Sequence, residues 1–252
     1  MIMKDNNLVS IITPSYKSEK FIFKTIDSVL SQTYKNWEMI IVDDVSPDNS
    51  NEIIEEYCKK DERIKLIKLE KNSGPAVARN RAIEEANGKY IAFLDADDLW
   101  KHGKLEKQIK FMQKNNLAFT YSSYDLIDEE GNNLGNFMTK DTISYEGMLK
   151  TCSVGCLTAI YDTEKLGKVY MPLIRKRQDY GLWLKILKEI GTTNGMPESL
   201  ATYRILENSV SSNKFKAAQY QWKIYREVEE LDIFRSMYYF VQYAYYGVMK
   251  YK

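Results

Sequence analysis

Short β-branched segments alternate with amphipathic segments along the first hundred residues of this 252-residue chain. Apolar runs bounded by turn residues predict strands at residues 8–13, 37–42, 64–69 and 90–94. Apolar residues at helical spacing predict the intervening helices at residues 20–32, 50–60 and 76–86. This alternation is typical of β-α-β units, so we predict an α/β fold with a mixed, mostly parallel sheet flanked by helices.

The second half of the chain has a less regular pattern. It predicts helices at 103–115 and 180–190, strands at 118–122, 156–161 and 200–205, and a hairpin turn at 128–133. The segment 215–252 has no proline and reads as two helices broken near 230–232. We therefore predict an α/β domain over 1–210, with halves at 1–100 and 101–210, and a C-terminal helical extension over 211–252.

Composition narrows the chemistry that this chain can perform. The 36 Lys and Arg against 35 Asp and Glu give a net charge of +1, which argues against a nucleic-acid partner. Three cysteines and the single histidine, His102, give little support for a disulfide framework or a zinc site. With no long apolar run and no leader-like start, we expect a cytoplasmic protein whose acid/base or metal chemistry depends on carboxylates.

Polar or acidic residues follow each of the first four predicted strands. Their sequences are Thr13-Pro14-Ser15-Tyr16, Asp43-Asp44, Asn72-Ser73-Gly74-Pro75 and Asp95-Ala96-Asp97-Asp98. In open α/β sheets, ligands bind outside the carboxyl ends of the strands. We therefore expect a ligand site at this edge of the sheet.

The acidic loop that contains Asp95, Asp97 and Asp98 predicts a cation site. Three adjacent carboxylates repel one another unless a cation or hydrogen-bond donors neutralise them, and Mg²⁺ or Mn²⁺ suits oxygen ligands. The alternative is a solvated acidic turn that caps the following helix.

The turns after the second and third strands also offer nucleotide contacts. The carboxylate of Asp44 can accept from a base imide or a ribose hydroxyl, or it can serve the turn before the helix at residue 50. The free N–H groups of Asn72-Ser73-Gly74 can face phosphate, with Arg79 one turn into the helix. Neither a G-x-G-x-x-G motif nor a P-loop is present, so a nucleotide must be held in another way.

Five ordered blocks in the first hundred residues resemble the family 2 glycosyltransferases with the GT-A fold, bacterial enzymes that build surface polysaccharides. The blocks span residues 9–16, 28–34, 41–46, 72–80 and 88–98, and the similarity continues more thinly through 178–183, Tyr203-Arg204, Ser209 and Ser211. The resemblance implies inverting transfer of a sugar from a nucleotide-sugar, usually a UDP-sugar, to an acceptor hydroxyl. It makes 1–100 the nucleotide-sugar half of the catalytic domain and 101–210 the acceptor half.

The resemblance also assigns a role to each matched position. It implies that Asp179 is the general base and that Asp97, with Asp95, holds Mn²⁺ or Mg²⁺ against the diphosphate. The family often has Glu-Asp where this chain has Gln178-Asp179. The implied nucleotide-sugar contacts are Pro14, Ser15 and Tyr16 at the uracil, Asp44 at its N3–H, and Asn72, Gly74, Arg79, Asp95, Ala96, Asp97 and Arg204 around the ribose and phosphates.

Several candidates on the acceptor side keep structural alternatives. Asp179 is either the base or a cap of the helix predicted at residue 180, and Trp183, one turn later, is a candidate acceptor wall. Charged residues in runs are usually solvated, but four are candidate diphosphate or acceptor contacts: Arg175, Lys176, Arg177 and Arg204. We expect His102 to be a bystander.

The tyrosine-rich segment 231–252 has two interpretations. Aromatic helices with basic flanks lie at bilayer surfaces, here the inner face of a cell membrane that carries a lipid-linked glycan acceptor. The same rings can instead pack on the catalytic domain or on another subunit.

Two other functions compete with sugar transfer. A sugar nucleotidyltransferase needs a Gly-rich basic loop after the first strand, and residues 13–20 do not form one. A sugar-nucleotide-binding or glycan-binding module without turnover is the other alternative, although Asp97 and Asp179 argue against it.

Overall fold

The computed structural model describes residues 7–206 and 214–249. Its strands are β1 (Val9–Ser15), β2 (Trp37–Asp43), β3 (Ile64–Lys68), β4 (Tyr90–Phe93), β5 (Leu99–Trp100), β6 (Phe119–Thr120), β7 (Ser122–Ile127), β8 (Asn133–Phe137), β9 (Thr142–Ser144), β10 (Ile160–Asp162), β11 (Thr192–Asn194) and β12 (Met196–Arg204). Its helices are α1 (Ile22–Leu30), α2 (Ser50–Lys60), α3 (Pro75–Glu85), α4 (Lys104–Lys114), α5 (Tyr145–Lys150), α6 (Thr163–Leu166), α7 (Gln178–Ile190), α8 (Lys214–Lys223) and α9 (Ile233–Met249), with a 3₁₀-helix at Cys156–Thr158 and a π-helix at Ile224–Val228.

The main sheet has six strands in the order β3-β2-β1-β4-β10-β6. The first four are parallel, and β10 and β6 add antiparallel pairings at one side. In the register of β1 and β2, Ser15 lies beside Asp43, so the carboxyl ends of these strands meet at one edge. The prediction of a mixed, mostly parallel α/β sheet is confirmed.

Two apolar cores cover the two faces of the main sheet because alternate strand residues point to opposite sides. Ile12 and Ile40 pack with α3 and α7 on one face, whereas Ile11 and Met39 pack with α1 and α4 on the other. The near-continuous apolar character of these strands is what a parallel sheet buried on both faces requires.

A second sheet, ordered β5-β12-β7-β8, stands beside the first. The predicted strand at 118–122 is divided at Tyr121, where the chain leaves the main sheet for the second one. The strand predicted at 156–161 is correct only from Ile160, because Cys156–Thr158 forms a 3₁₀ turn closed by the Thr158 N–H donating to the carbonyl of Gly155. The hairpin predicted at 128–133 connects β7 and β8.

The C-terminal helices share one core with the α/β domain. Tyr225 and Tyr239 belong to the same apolar cluster as α3 and α7, and the Tyr225 hydroxyl donates to the Leu149 carbonyl at 2.5 Å. The predicted break near 230–232 falls between the π-helix and α9. The inner rings of α9 therefore pack internally, as one of the two interpretations of this segment expected.

Among the described helices, none combines the length and the apolar character needed to span a lipid bilayer. Cys58, Cys152 and Cys156, all within the described residues, form no disulfide. Ser209 and Ser211, which belong to the thinner part of the resemblance, lie outside the described residues.

Candidate active site

A cavity of about 660 Å³ opens beside the residues that follow β4 and the first turn of α3. It is bounded on its other sides by the segment 152–157, the start of α7 and the end of β12. The predicted site residues that line it include Arg79, Asp95, Asp97, Asp179 and Arg204. The fold thus brings together carboxylates and arginines that are far apart in the sequence.

The acidic loop is held by hydrogen bonds to its backbone. The Thr25 hydroxyl of α1 donates to the carbonyls of Ala96 and Asp98, at 3.0 and 2.9 Å. The buried Asp98 carboxylate accepts from the Arg204 N–H at 2.9 Å, so it joins the loop to β12. Asp95 and Asp97 are left half-buried on the cavity wall.

The alternative that this acidic loop caps the following helix is wrong. The loop leads into β5, and the next helix, α4, begins after Gly103 without a side-chain cap. The three carboxylates are therefore not explained by helix capping.

Like-charge repulsion and burial act together on the acidic loop. Burial, followed by repulsion from Asp95, raises the pKa of Asp97 to about 6, although the guanidinium groups of Arg204 and Arg79 oppose the shift. Burial and the two neighbouring carboxylates likewise raise the pKa of Asp98 well above its usual range. A bound cation would relieve this repulsion.

The donor set of the loop fits a hard divalent cation such as Mn²⁺ or Mg²⁺. Its available side chains are carboxylates, and Asp97 is destabilised in its charged form when no cation is nearby. No group of three or more His, Cys, Asp or Glu side chains in the described part of the chain is arranged to hold a metal. Such an ion would therefore take its remaining ligands from a substrate diphosphate or water.

Arg79 connects the acidic loop with the far side of the cavity. Its Nη2 donates to Oδ1 of Asp95 at 2.5 Å, whereas its Nε and Nη1 are buried without hydrogen-bond partners. Although burial opposes ionisation, the charges of Asp95 and Asp179 help to raise the pKa of this guanidinium. Arg79 therefore stays cationic between the two carboxylates.

Asp179 lies in the first turn of α7 and faces the cavity. The alternative that it caps this helix is wrong, because α7 begins one residue earlier and Arg177 occupies the N-cap position. Burial raises the pKa of the Asp179 carboxyl, and Arg79 opposes that shift. A carboxylate with a raised pKa in a cavity has the properties of a general base.

The turn after β3 does not present free N–H groups to a phosphate, so that prediction is wrong. The N–H groups of Ser73 and Gly74 donate to the Asp44 carboxylate at 2.7 and 2.8 Å, and Nδ2 of Asn72 donates to the Asp44 carbonyl. Because β2 and β3 are neighbours, the carboxylate after one strand reaches the turn after the other. A contact of Asp44 with a base stays a prediction.

The residues at the carboxyl end of β1 and just after it lie at the same sheet edge but do not line the cavity. The Ser15 side chain is buried, and its hydroxyl hydrogen-bonds to the Ser18 hydroxyl at 2.8 Å. Pro14 is half-buried and the Tyr16 ring is exposed. Their proposed contact with uracil stays a prediction.

Trp183 cannot form an acceptor wall, so that prediction is wrong. Its side chain is 0% exposed, stacks on Phe119 with ring centroids 5.2 Å apart, and meets Phe93 edge to face. Asp179 and Trp183 are one turn apart on α7, but the indole packs into the core that α7 forms with the main sheet.

Two of the predicted arginine contacts have structural partners. Nε of Arg204 donates to the Asp97 carbonyl at 3.0 Å, and its Nη1 donates to the carbonyls of Asp128 and Glu129. Arg177 donates to Gln221 and to Tyr243. Both arginines also line the cavity, together with Arg175 and Lys176.

Sequence reasoning missed several uncharged residues of the cavity wall. Cys152, Cys156, Tyr124 and Tyr203 all line it, and the rings of Tyr124 and Tyr203 meet edge to face at 6.1 Å. Burial raises the pKa of the Cys156 thiol well above its usual range, so this thiol is neutral. His102 is exposed and does not belong to the cavity wall.

The protein has a mostly parallel α/β sheet with an acidic loop after β4, and the Asp179 carboxylate, from much later in the chain, faces the same cavity as that loop. This arrangement is typical of the GT-A class of sugar-transferring enzymes. The model of the Glycosyl transferase family 2 matches residues 10–163, and the chain belongs to this family. It is therefore a glycosyltransferase.

Several relatives align with almost the whole chain. The "Putative teichuronic acid biosynthesis glycosyltransferase TuaG" of Bacillus subtilis (strain 168) is 49% identical over 244 residues, which cover 96% of this chain and 97% of the relative. The "UDP-Glc:alpha-D-GlcNAc-diphosphoundecaprenol beta-1,3-glucosyltransferase WfgD" of Escherichia coli is 42% identical over 248 residues, which cover 98% and 96% of the two chains.

Solved structures share the fold at low sequence identity. S. aureus TarS 1-349 in complex with UDP-GlcNAc has a TM-score of 0.71 and 21% identity, covering 94% of this chain and 71% of that chain. The mannosyltransferase PcManGT from Pyrobaculum calidifontis, in complex with GDP-Man and Mn2+, has a TM-score of 0.64 and 16% identity, covering 89% and 64%. These likenesses confirm the GT-A fold.

Proposed function

We propose that this protein is a metal-dependent inverting glycosyltransferase that moves a sugar from a UDP-sugar to an acceptor hydroxyl during synthesis of a bacterial cell-surface glycan. The observation that carries the proposal is the shared cavity of Asp97 and Asp179, with the charge of Arg79 acting on both carboxyls. One carboxylate suits a cation at the diphosphate, and the other suits a proton acceptor.

The reaction places separate demands on these groups. Asp179 takes the proton of the acceptor hydroxyl while its oxygen bonds to the anomeric carbon, and the bond from that carbon to the diphosphate oxygen breaks. Asp97 and Asp95 would hold Mn²⁺ or Mg²⁺, which supplies positive charge to the departing diphosphate. Attack on the face opposite the leaving group inverts the anomeric configuration.

The names of the relatives support the choice of donor and acceptor. The Escherichia coli relative is named for UDP-Glc and a diphosphoundecaprenol-linked acceptor, and TarS was solved with UDP-GlcNAc. The Bacillus subtilis relative is named for teichuronic acid biosynthesis. We therefore propose a UDP-sugar donor and a lipid-linked glycan acceptor at the inner face of the cell membrane.

A thermal-shift comparison tests the donor class. We expect UDP and UDP-sugars, with Mn²⁺, to raise the unfolding midpoint more than GDP-sugars or dTDP-sugars do, because only a ligand of the native state stabilises it. At a ligand concentration about 100 times Kd, the gain in the free energy of unfolding is about 2.7 kcal/mol. Stabilisation by a GDP-sugar alone would replace UDP with GDP in this proposal. Stabilisation without product formation, tested with a lipid-diphosphate GlcNAc acceptor, would favour a binding module.

The outer face of α9 supports contact with a membrane. Phe234 and Val241, seven residues apart on one face of the helix, are 81% and 64% exposed. The same face also carries exposed apolar side chains at Met237, Tyr238 and Tyr245. The segment 233–252 contains no Asp or Glu but has Arg235, Lys250 and Lys252, so its charge complements anionic lipid.

Helix α9 is linked to a residue of the cavity wall, so a membrane bound by α9 would lie close to the candidate active site. The Tyr243 hydroxyl accepts a hydrogen bond at 2.6 Å from Arg177, which lines the cavity. A membrane surface under α9 would thus lie near the site where a lipid-linked acceptor must arrive. We propose that the outer face of α9 rests on an anionic bilayer surface.

Vesicle binding tests the membrane proposal. We expect the double variant Phe234→Ser/Val241→Ser to bind phosphatidylcholine–phosphatidylglycerol vesicles at least about tenfold more weakly, because each exposed apolar side chain loses burial in the interface. Co-sedimentation gives the partition, and Leu134→Ser on β8, which removes a side chain that is 50% exposed, is the matched control. Point variants are preferable to truncation because Tyr239 belongs to the core.

The same samples distinguish the alternatives for α9. Equal vesicle binding by the wild type and the double variant contradicts membrane contact through this face. A wild-type dimer in light scattering that the double variant converts to monomer, without vesicle binding by either, would assign the face to self-association instead.

A further inference from the structure

Arg177, the residue immediately before α7, has an unusual backbone conformation. Its φ of 61° and ψ of 25° lie in the left-handed region, which side chains other than Gly, Asn and Asp rarely adopt. Such a conformation persists when surrounding contacts hold it. Arg177 is the N-cap residue of α7 and stands two residues before Asp179, which lies in the first turn.

Two side chains of the C-terminal helices hold the Arg177 guanidinium. Its Nη1 donates to Oε1 of Gln221 on α8, and its Nη2 donates to the Tyr243 hydroxyl on α9 at 2.6 Å. The guanidinium carbon also lies 5.0 Å from the centre of the Tyr243 ring. Because a guanidinium is planar and forked, one acceptor at each of its two terminal nitrogens fixes the orientation of its plane.

Gln221 also holds the residue on the other side of Asp179. Its buried side chain donates from Nε2 to the Tyr180 hydroxyl at 3.1 Å, and that hydroxyl donates to the Met148 carbonyl at 2.9 Å. Gln221 therefore contacts Arg177 and Tyr180, which flank Gln178 and Asp179. The side chains that Gln221 contacts are half-buried in the case of Arg177 and buried in the case of Tyr180.

We infer that α8 and α9 orient Asp179 for proton transfer through Gln221, Tyr243 and Arg177, with Arg177 as a positioning residue. The inference rests on the proposed role of Asp179 as general base. A base must lie within hydrogen-bond distance of the acceptor hydroxyl, and a displacement of about 1 Å reduces the rate by about 100-fold. The C-terminal extension thus contributes to catalysis as well as to packing.

Two substitutions test the contacts of Tyr243 and of Gln221 in turn. Tyr243→Phe deletes one hydroxyl and keeps the ring, and we expect it to lower kcat about fivefold. Gln221→Leu removes the hydrogen bonds of Gln221 to Arg177 and to Tyr180, and we expect a loss of at least about tenfold. The Kd for UDP with Mn²⁺, measured by calorimetry, should stay within about twofold of the wild type, because neither Gln221 nor Tyr243 lines the cavity. The matched controls are Tyr220→Phe and Gln219→Leu on α8, which do not touch Arg177 and should keep wild-type kcat.

Gln221→Glu provides a rescue test. The glutamate still accepts from Arg177 but no longer donates to Tyr180, so we expect it to recover most of the kcat that Gln221→Leu loses. A role in stability alone would lower the unfolding temperature without separating Glu from Leu in kcat. If Gln221→Leu does not fold, the kcat of Tyr243→Phe tests the positioning role alone, and a wild-type value would overturn it.

The outcomes separate this inference from the proposed function. Wild-type kcat in Tyr243→Phe and Gln221→Leu, with activity lost in Asp179→Asn, overturns the positioning role alone. Full activity in Asp179→Asn overturns the base assignment on which it rests. Equal losses of kcat and donor affinity in both Tyr243→Phe and Gln221→Leu would show general disruption of the cavity and also overturn the positioning role.

Discussion

Replacing Asp179 with asparagine is expected to reduce sugar transfer by about 10²–10⁴-fold, the usual contribution of a general base. The amide keeps the size of the side chain but cannot accept the proton of the acceptor hydroxyl. UDP-sugar binding should persist because the acidic loop and Arg79 are unchanged. The raised pKa of Asp179, caused by burial, means that the carboxylate accepts a proton more readily than an exposed one.

Initial rates with a lipid-linked acceptor and calorimetric titration with UDP together check this expectation. Glu189→Gln is a suitable control because it neutralises an exposed carboxylate on the same helix. Transfer at the wild-type rate by Asp179→Asn would remove Asp179 from the mechanism. Loss of UDP binding in the same variant would instead indicate a role in forming the donor site.

Asp97→Ala is expected to weaken Mn²⁺-dependent UDP binding by at least about 100-fold, because a metal ligand contributes more than the supporting contacts that cost 10–100-fold when lost. The fold should survive, since the substitution removes a carboxyl that Asp95 repels and that burial destabilises in its charged form. Titration with UDP, with and without Mn²⁺, measures the effect. A variant that keeps metal-dependent binding would contradict the assignment of Asp97 as a ligand.

The same titration has a predictable pH dependence and a simple control. Without metal, the pKa of Asp97 is raised to about 6, so below this pH a proton competes with the cation for the carboxylate. The apparent affinity of wild type for Mn²⁺ with UDP should therefore fall as the pH decreases through 6, and unchanged affinity at pH 5 would contradict it. Glu130→Gln, an exposed substitution in the hairpin turn, should behave as wild type.

Local pattern predicted most of the first hundred residues. The apolar runs of β1 to β4 and the amphipathic helices between them are local features, and a parallel sheet follows from their alternation. The strand ends follow from the same alternation, so the acidic loop could be expected at a ligand crevice. The region that matches the glycosyltransferase family, residues 10–163, contains the acidic loop and nearly all of these strands and helices.

The errors arose where tertiary contacts decide the environment of a side chain. Helical spacing placed Trp183 one turn after Asp179, but it did not say which side of α7 faces the sheet. The N–H groups of Ser73 and Gly74 looked free in a local turn, and the acceptor that occupies them, Asp44, comes from the neighbouring strand end. Each contact joins residues that are distant in sequence.

By itself, the sequence determined the α/β class, the succession of early strands and helices along the chain, and the candidate carboxylates, because propensity, periodicity and motif order are local properties. Only the tertiary structure decided which of those carboxylates share a cavity and which are occupied by hydrogen bonds that hold the fold together. Asp98 and Asp44 hold loops together, whereas Asp97 and Asp179 face one space. Burial and the charge of neighbouring groups raise pKa values and direct side chains, and both arise only when distant segments pack.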